Sequence, residues 1–233
     1  TFTVLKDKNL LAMKPILKIS DLFKISWKQT RAQIWVLAGL LIGWTIITFT
    51  LSIFSTPDPS QGLSGYTLGI ILMNIVFALI GCIFNLGYLK NIFQALDGDE
   101  PQFSAYGQQA RKILTYFIAS IIMSIIVCIG FCLLILPGIY LAVRLQYFTA
   151  VIVEDNGGII SSLKRSWEIT KGNFWPLFLL GLTFFGIAIL GILLFVVGIF
   201  VAYPLIYMMY AASYRVLSAP MAADVCDAVK IEE

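Results

Sequence analysis

The sequence predicts an all-α integral membrane protein: six transmembrane helices in three hairpins, each hairpin preceded by a basic amphipathic helix at the membrane surface. Three observations predict it. The first is composition: of 233 residues, 59% are hydrophobic and 12% charged, with mean hydropathy +0.90, whereas soluble domains carry about a quarter charged residues. The second is that the apolar residues fall into blocks near the roughly 20 residues a helix needs to cross a bilayer. Such blocks must be helices, because backbone groups in lipid have to be paired within the segment. The third is the placement of the 16 lysines and arginines in short stretches between the blocks.

The chain opens with a basic amphipathic stretch. At 100° per residue Ile16, Ile19, Phe23 and Trp27 share one face, and Lys14, Lys18, Asp21, Lys24 and Lys28 the other. A basic face backed by aliphatic and aromatic groups suits a helix in the headgroup region. Lys24, Trp27, Lys28 and Arg31 are its candidate interfacial residues. No short apolar stretch with a small-residue cleavage site opens the chain, so no signal peptide is expected.

The first span covers residues 34–54 and carries Gly39 and Gly43. The second covers 67–89, with Asn74, Ala78, Gly81 and Asn85 on one stripe. Asp97, Asp99 and Glu100 lie in a following loop that lacks calcium-site spacing and reads as a solvated turn. The third span, 113–136, bears Ser120, Ser124, Cys128 and Cys132 at four-residue intervals. Small and polar stripes of this kind are packing surfaces between helices in lipid.

Leu136-Pro137-Gly138 is expected to separate the third span from the fourth, 138–153. The fourth contains Arg144, with Tyr140 and Tyr147 on the same helical face. A helix would place Arg144 about 9 Å from the outer hairpin, within snorkelling reach. The fifth span is 174–197 and the sixth 198–217, divided near Gly198; one long bent helix is the alternative. Phe200, Tyr203, Tyr207, Tyr210 and Tyr214 form a single face of the sixth. The resulting domain division is an N-terminal segment 1–20, a membrane domain 21–218 and a C-terminal tail 219–233.

Orientation follows from the basic residues. Fifteen of the sixteen fall on one side of the predicted topology, Arg144 being the exception, and the 55–65 loop has none. Positive loops stay cytoplasmic, so both termini are expected inside. The chain also repeats itself. Residues 23–35 match 163–175 at a constant offset of 140, aligning Ser26, Trp27, Thr30 and Trp35 with Ser166, Trp167, Thr170 and Trp175. Lys164, Arg165, Trp167 and Lys171 are the interfacial residues of the second copy, and 103–116 is a weaker third. All copies start on the same side, which makes the repeat parallel.

The stretch from Leu136 through Arg144, then Val151-Ile152-Val153-Glu154-Asp155 and Ser162 to Trp175, resembles the YciC-like bacterial membrane proteins. It also resembles the related membrane domain attached to some glycerophosphodiester phosphodiesterases. The likeness is densest over 136–175. It implies a six-helix protein of the bacterial inner membrane. The phosphodiesterase chemistry uses histidines in a separate soluble domain and does not carry over, since this chain has no histidine.

No catalytic residue or metal ligand set emerges. The cysteines Cys82, Cys128, Cys132 and Cys226 fit no zinc or disulfide spacing, and no metalloprotease, P-loop, nucleophile-elbow or dinucleotide motif occurs. No cofactor is expected. Arg144 with Tyr140 and Tyr147 is the candidate anion or lipid site, because a charge inside a span costs about 2.5–3.5 kcal/mol and needs a reason. Asn74, Asn85, Tyr203, Tyr207 and Tyr210 form a candidate polar core joining the second, fourth and sixth spans, with Arg144 as a further partner. The expected function is a non-catalytic, lipid-interacting or partner-binding protein of the cell envelope; a transporter or flippase with a polar site near Arg144 is the alternative. Expected partners are membrane lipids, anionic ones among them, a second copy or another membrane protein, and no nucleic acid.

Overall fold

The computed structural model describes residues 17–55 and 68–231. Lys14 and Ile16 of the first amphipathic stretch, nearly all of the 55–65 loop and the segment before residue 17 lie outside them. The order is α1 (Ile19–Ser55), α2 (Leu68–Asp97), α3 (Ser104–Gln109), a 3-10 turn (Ala110–Lys112), α4 (Ile113–Leu133), α5 (Ile135–Leu145), α6 (Phe148–Glu154), α7 (Ile159–Ile169), α8 (Phe174–Leu193) and α9 (Phe195–Ile231). No strand occurs among the described residues.

Five segments are long and apolar enough to cross a membrane: Ile19–Ile53, Leu68–Asp97, Ser104–Leu133, Ile135–Glu154 and Phe174–Leu193. Their most hydropathic windows are mostly turned outward. Trp35, Ile46, Phe49, Leu68, Leu114, Leu133, Phe185 and Leu193 are all exposed. Such a surface is unfavourable in water and suited to hydrocarbon. The tight core lies at the other end of the same helices. Leu86 to Leu96 of α2, Phe148 to Val153 of α6 and Met208 to Leu217 of α9 supply most of its buried side chains.

Two tight hairpins depend on close backbone approach. α4 turns into α5 at a single extended residue, Leu134 (φ −165°, ψ 157°). The predicted break at Leu136-Pro137-Gly138 is therefore displaced. Pro137 sits in the first turn of α5, where its missing N–H has no intrahelical partner to lose. α8 turns into α9 at Leu194, so these are two helices and not one bent one. Gly198 lies inside α9 rather than at the boundary. Its role is contact, since a Cβ there would sit 2.3 Å from the Gly191 carbonyl oxygen.

The amphipathic lead-ins depart from expectation in two ways. The first is continuous with its span: α1 kinks at Gln33 (φ −122°, ψ 20°) without ending. The weak third copy is α3 and the 3-10 turn. Both lead-ins also bury a face against the protein. The expected apolar face of the first copy placed Phe23 and Trp27 together. In the structure Leu22, Ser26 and Thr30 are buried on α1, and Ser162, Leu163, Ser166 and Ile169 on α7, while Phe23, Trp27 and Trp167 are exposed. α7 packs against α4, α5 and α6.

Candidate functional site

The fourth predicted span is not one helix. α5 stops at Leu145 and α6 starts at Phe148, with Gln146 and Tyr147 in a turn. Each new helix end leaves backbone groups without intrahelical partners, and in lipid these must be satisfied by protein or a cavity. Side chains from α7 and α9 do so. Ser166 Oγ donates to the Arg144 carbonyl at 3.0 Å and accepts from the Tyr147 N–H at 3.0 Å. Thr170 Oγ1 reaches the same carbonyl at 3.1 Å. The Tyr210 hydroxyl donates to the Gln146 carbonyl at 2.9 Å. The Tyr147 hydroxyl pairs with Ser213 Oγ at 2.7 Å. At the far end of α6, Lys112 Nζ donates to the carbonyls of Ile152 (2.9 Å) and Val153 (3.0 Å), a basic side chain capping a helix C-terminus.

Beside this break lies a cavity of about 450 Å³. Gln146 and Thr149 bring the break into its wall; Asn85 of α2, Ser120 and Ser124 of α4, and Tyr207 and Tyr210 of α9 add amide and hydroxyl groups. Leu89, Met123, Phe148, Phe184 and Ile206 form the apolar remainder. Asn85 donates to the Tyr207 hydroxyl at 3.2 Å, whereas the Gln146 side-chain nitrogen is buried with no hydrogen-bond partner. The lining carries no Lys, Arg, Asp or Glu. The arrangement suits a molecule with an uncharged or weakly polar portion and an apolar body.

The predicted polar core is brought together in part. Asn85, Tyr207 and Tyr210 line the cavity, and Tyr203 stacks on Tyr207 with ring centroids 4.6 Å apart. Asn74 is not part of it. It lies on the outward half of α2, where its amide donates to the Ile70 carbonyl. Arg144 is also elsewhere. The turn at Gln146 rotates Tyr147 away from it, so the three-residue face of Tyr140, Arg144 and Tyr147 does not exist. Tyr147 stacks on Tyr210 of α9 at 5.1 Å. Arg144 is 4% exposed, its guanidinium 4.3 Å from the Trp167 ring centroid and 5.8 Å from that of Tyr140. It sits in the last turn of α5. Cation–π contact and the negative end of the helix dipole favour a cation there, while its Nε is buried without a hydrogen-bond partner. It points to α7 rather than snorkelling outward.

An ionic cluster went unforeseen in the sequence. Arg215 of α9 bonds both carboxylate oxygens of Asp97 at the end of α2 and reaches Glu154 of α6 at 2.9 Å. Lys90 lies 4.0 Å from Glu154. The Tyr214 hydroxyl donates to Asp155 at 2.7 Å, and Arg165 lies 4.0 Å from the same carboxylate. Asp97 is thus an anchor and not merely part of a solvated turn. Its only sequence signal was the charge itself, 118 positions from its partner.

An apolar outer surface, breaks satisfied from within and a cavity at one of them define a polytopic α-helical membrane protein. Within that class the chain belongs to the family described as Domain of unknown function (DUF7847), whose model matches residues 105–229. The matched region holds α4 to α8, and with them the broken helix and the α7 and α9 side chains that support it. The chain is similar to a UPF0259 membrane protein of Pectobacterium carotovorum, 26% identical over 98 residues, which is 41% of this chain and 39% of that protein. A UPF0259 membrane protein of Photorhabdus laumondii is 23% identical over 101 residues, 42% of this chain and 40% of the relative. The similarity thus spans about two fifths of each relative's length. No solved structure matches the chain.

Proposed function

We propose that this is a non-catalytic protein of the bacterial inner membrane that holds an amphiphilic molecule, a lipid or lipid-like compound, in the cavity at the α5–α6 break. The observation that carries the proposal is the cavity wall: amides and hydroxyls of Asn85, Gln146, Tyr207 and Tyr210 beside an apolar remainder, with no fixed charge. Binding pockets combine a mostly apolar lining with a few placed polar groups, and unwound segments at membrane depth are where membrane proteins bind ligands. Six spans, with α9 as the sixth, and both ends in the cytoplasm follow from the distribution of basic residues. Kinship with the YciC-like proteins, and through them with the phosphodiesterase membrane domain, rests on the 136–175 motif.

The test is native mass spectrometry of the full chain extracted in mild detergent, wild type beside the double substitution Asn85→Leu/Tyr207→Phe. The wild type is expected to carry a co-purifying amphiphile that the variant loses at unchanged melting temperature. A wild type with no bound mass, or a variant that keeps it, refutes the proposal. The broken helix also favours a second reading, lipid movement across the bilayer. That reading requires proteoliposomes to exchange a labelled phospholipid between leaflets faster than empty ones, and to lose the excess rate in the same variant.

A further inference from the structure

We propose a second lipid site, separate from the cavity: a groove along α1 that seats one anionic phospholipid, its phosphate at Lys28 and Arg31 and an acyl chain over Gly39 and Gly43. The proposal requires only that the chain spans a membrane, and it stands whether or not the cavity holds a ligand.

The apolar part is a groove of about 500 Å³. Trp35, Gly39, Gly43 and Ile47 of α1 recur every four residues along it, and Phe84 of α2 and Tyr106 of α3 close its side. Its floor is open: a Cβ built on Gly39 or Gly43 meets nothing within 4 Å. Small residues spaced by four usually bring two helices together. Here no helix of the described residues uses that close approach. Trp44, stacked on Phe84 at 4.3 Å, stiffens the junction with α2 instead. From Trp35 to Ile47 the helix rises about 18 Å, close to the roughly 15 Å depth of one leaflet's hydrocarbon.

The polar part lies immediately before it. A shallow hollow of about 480 Å³ is lined by Trp27, Lys28, Arg31 and Ala32. Arg31 closes the hollow four positions before Trp35 opens the groove, and α1 kinks between them at Gln33. Lys28 and Arg31 are exposed, and none of the ion pairs among the described residues uses them. Trp27 and Trp35, the latter 88% exposed, flank the two basic residues as interfacial tryptophans do.

A cation followed by a leaflet-deep apolar channel matches an anionic phospholipid from headgroup to tail. A second copy of the chain matches poorly. A two-fold contact on this face would set Lys28 and Arg31 against the same residues of the other molecule, a like-charge juxtaposition.

The experiment is native mass spectrometry of the full chain with equal amounts of phosphatidylglycerol and phosphatidylcholine in mixed micelles. The wild type is expected to retain phosphatidylglycerol preferentially. Lys28→Gln/Arg31→Gln should lower phosphatidylglycerol retention about tenfold, since each basic group near an anionic headgroup contributes, and leave phosphatidylcholine unchanged. Gly39→Leu/Gly43→Leu fills the groove where there is room for side chains and should lower retention of both lipids. Asn85→Leu/Tyr207→Phe should leave phosphatidylglycerol bound, which separates this site from the cavity. Retention unchanged in both α1 variants overturns the proposal. So does loss of phosphatidylglycerol in the cavity variant alone. A dimer in the wild type that the glycine variant converts to monomer, with lipid unchanged, also overturns it and gives the groove to a second copy.

Discussion

Ser26 and Thr30 on α1 occupy the same places in the repeat as Ser166 and Thr170 on α7, and all four side chains are 0% exposed. Their chemistry is opposite. On α7 the two hydroxyls satisfy a carbonyl and an N–H released by the α5–α6 break. On α1, which packs along α9, Ser26 Oγ and Thr30 Oγ1 have no hydrogen-bond partner. A repeated sequence thus preserves which residues face inward without preserving what they meet. Each pair comes from a surface small enough for close helix packing, and only one of them has been given a broken helix to serve.

The comparison can be broken by substitution. Ser166→Ala/Thr170→Val should have the largest effect, because it leaves the Arg144 carbonyl and the Tyr147 N–H buried and unpaired. A loss of about 2–4 kcal/mol is expected, read as a fall of roughly 5–12 °C in the melting temperature in detergent. A fall below 2 °C would show that water or lipid replaces the hydroxyls, and the contrast would collapse. Trp167→Ala comes next. It removes the ring over Arg144 and should cost about 1–2 kcal/mol. Trp27→Ala, whose ring stacks among the described residues on Phe23, should cost about half as much or less; equal costs would deny Arg144 its part. Tyr210→Phe frees the Gln146 carbonyl and should cost about 1 kcal/mol. The smallest effect is expected for Ser26→Ala/Thr30→Val, within about 1 kcal/mol of wild type and of either sign, since no bond is lost. A large destabilisation there would mean that these hydroxyls have partners after all.

Hydropathy made the membrane class and most of the helices legible, since the apolar blocks must face lipid wherever they lie. Where the helices break was less legible, for physical reasons visible in particular residues. Pro137 and Gly138 signal an end, yet a proline is tolerated in a first turn and Gly138 is needed there for its contact with Phe131 of α4. Gln146 and Tyr147 signal nothing, because their turn is held by side chains 19 to 66 positions away. Half of the polar core was visible as the tyrosine stripe on α9. Asn74 shared a stripe with Asn85 yet separated from it, because α2 passes from the packed end of the molecule to its lipid-facing end between the two. Arg144 attracted attention as a charge in a span, and local partners on α5 and α7 answer it.

Among the described side chains that hydrogen-bond to the turn and to the carbonyls of α6, Lys112 alone precedes them in the chain. Ser166, Thr170, Tyr210 and Ser213 are all made later. The segment Ile135–Glu154 is also the least hydropathic of the five candidate spans and carries Arg144, so it enters the bilayer as its weakest member. During synthesis its turn at Gln146 lacks its full set of partners until the ribosome has passed Ser213 of α9. The break is therefore a feature that the chain acquires after insertion and not during it, and truncation before Tyr210 should leave this span unsettled even though every residue of it has been made.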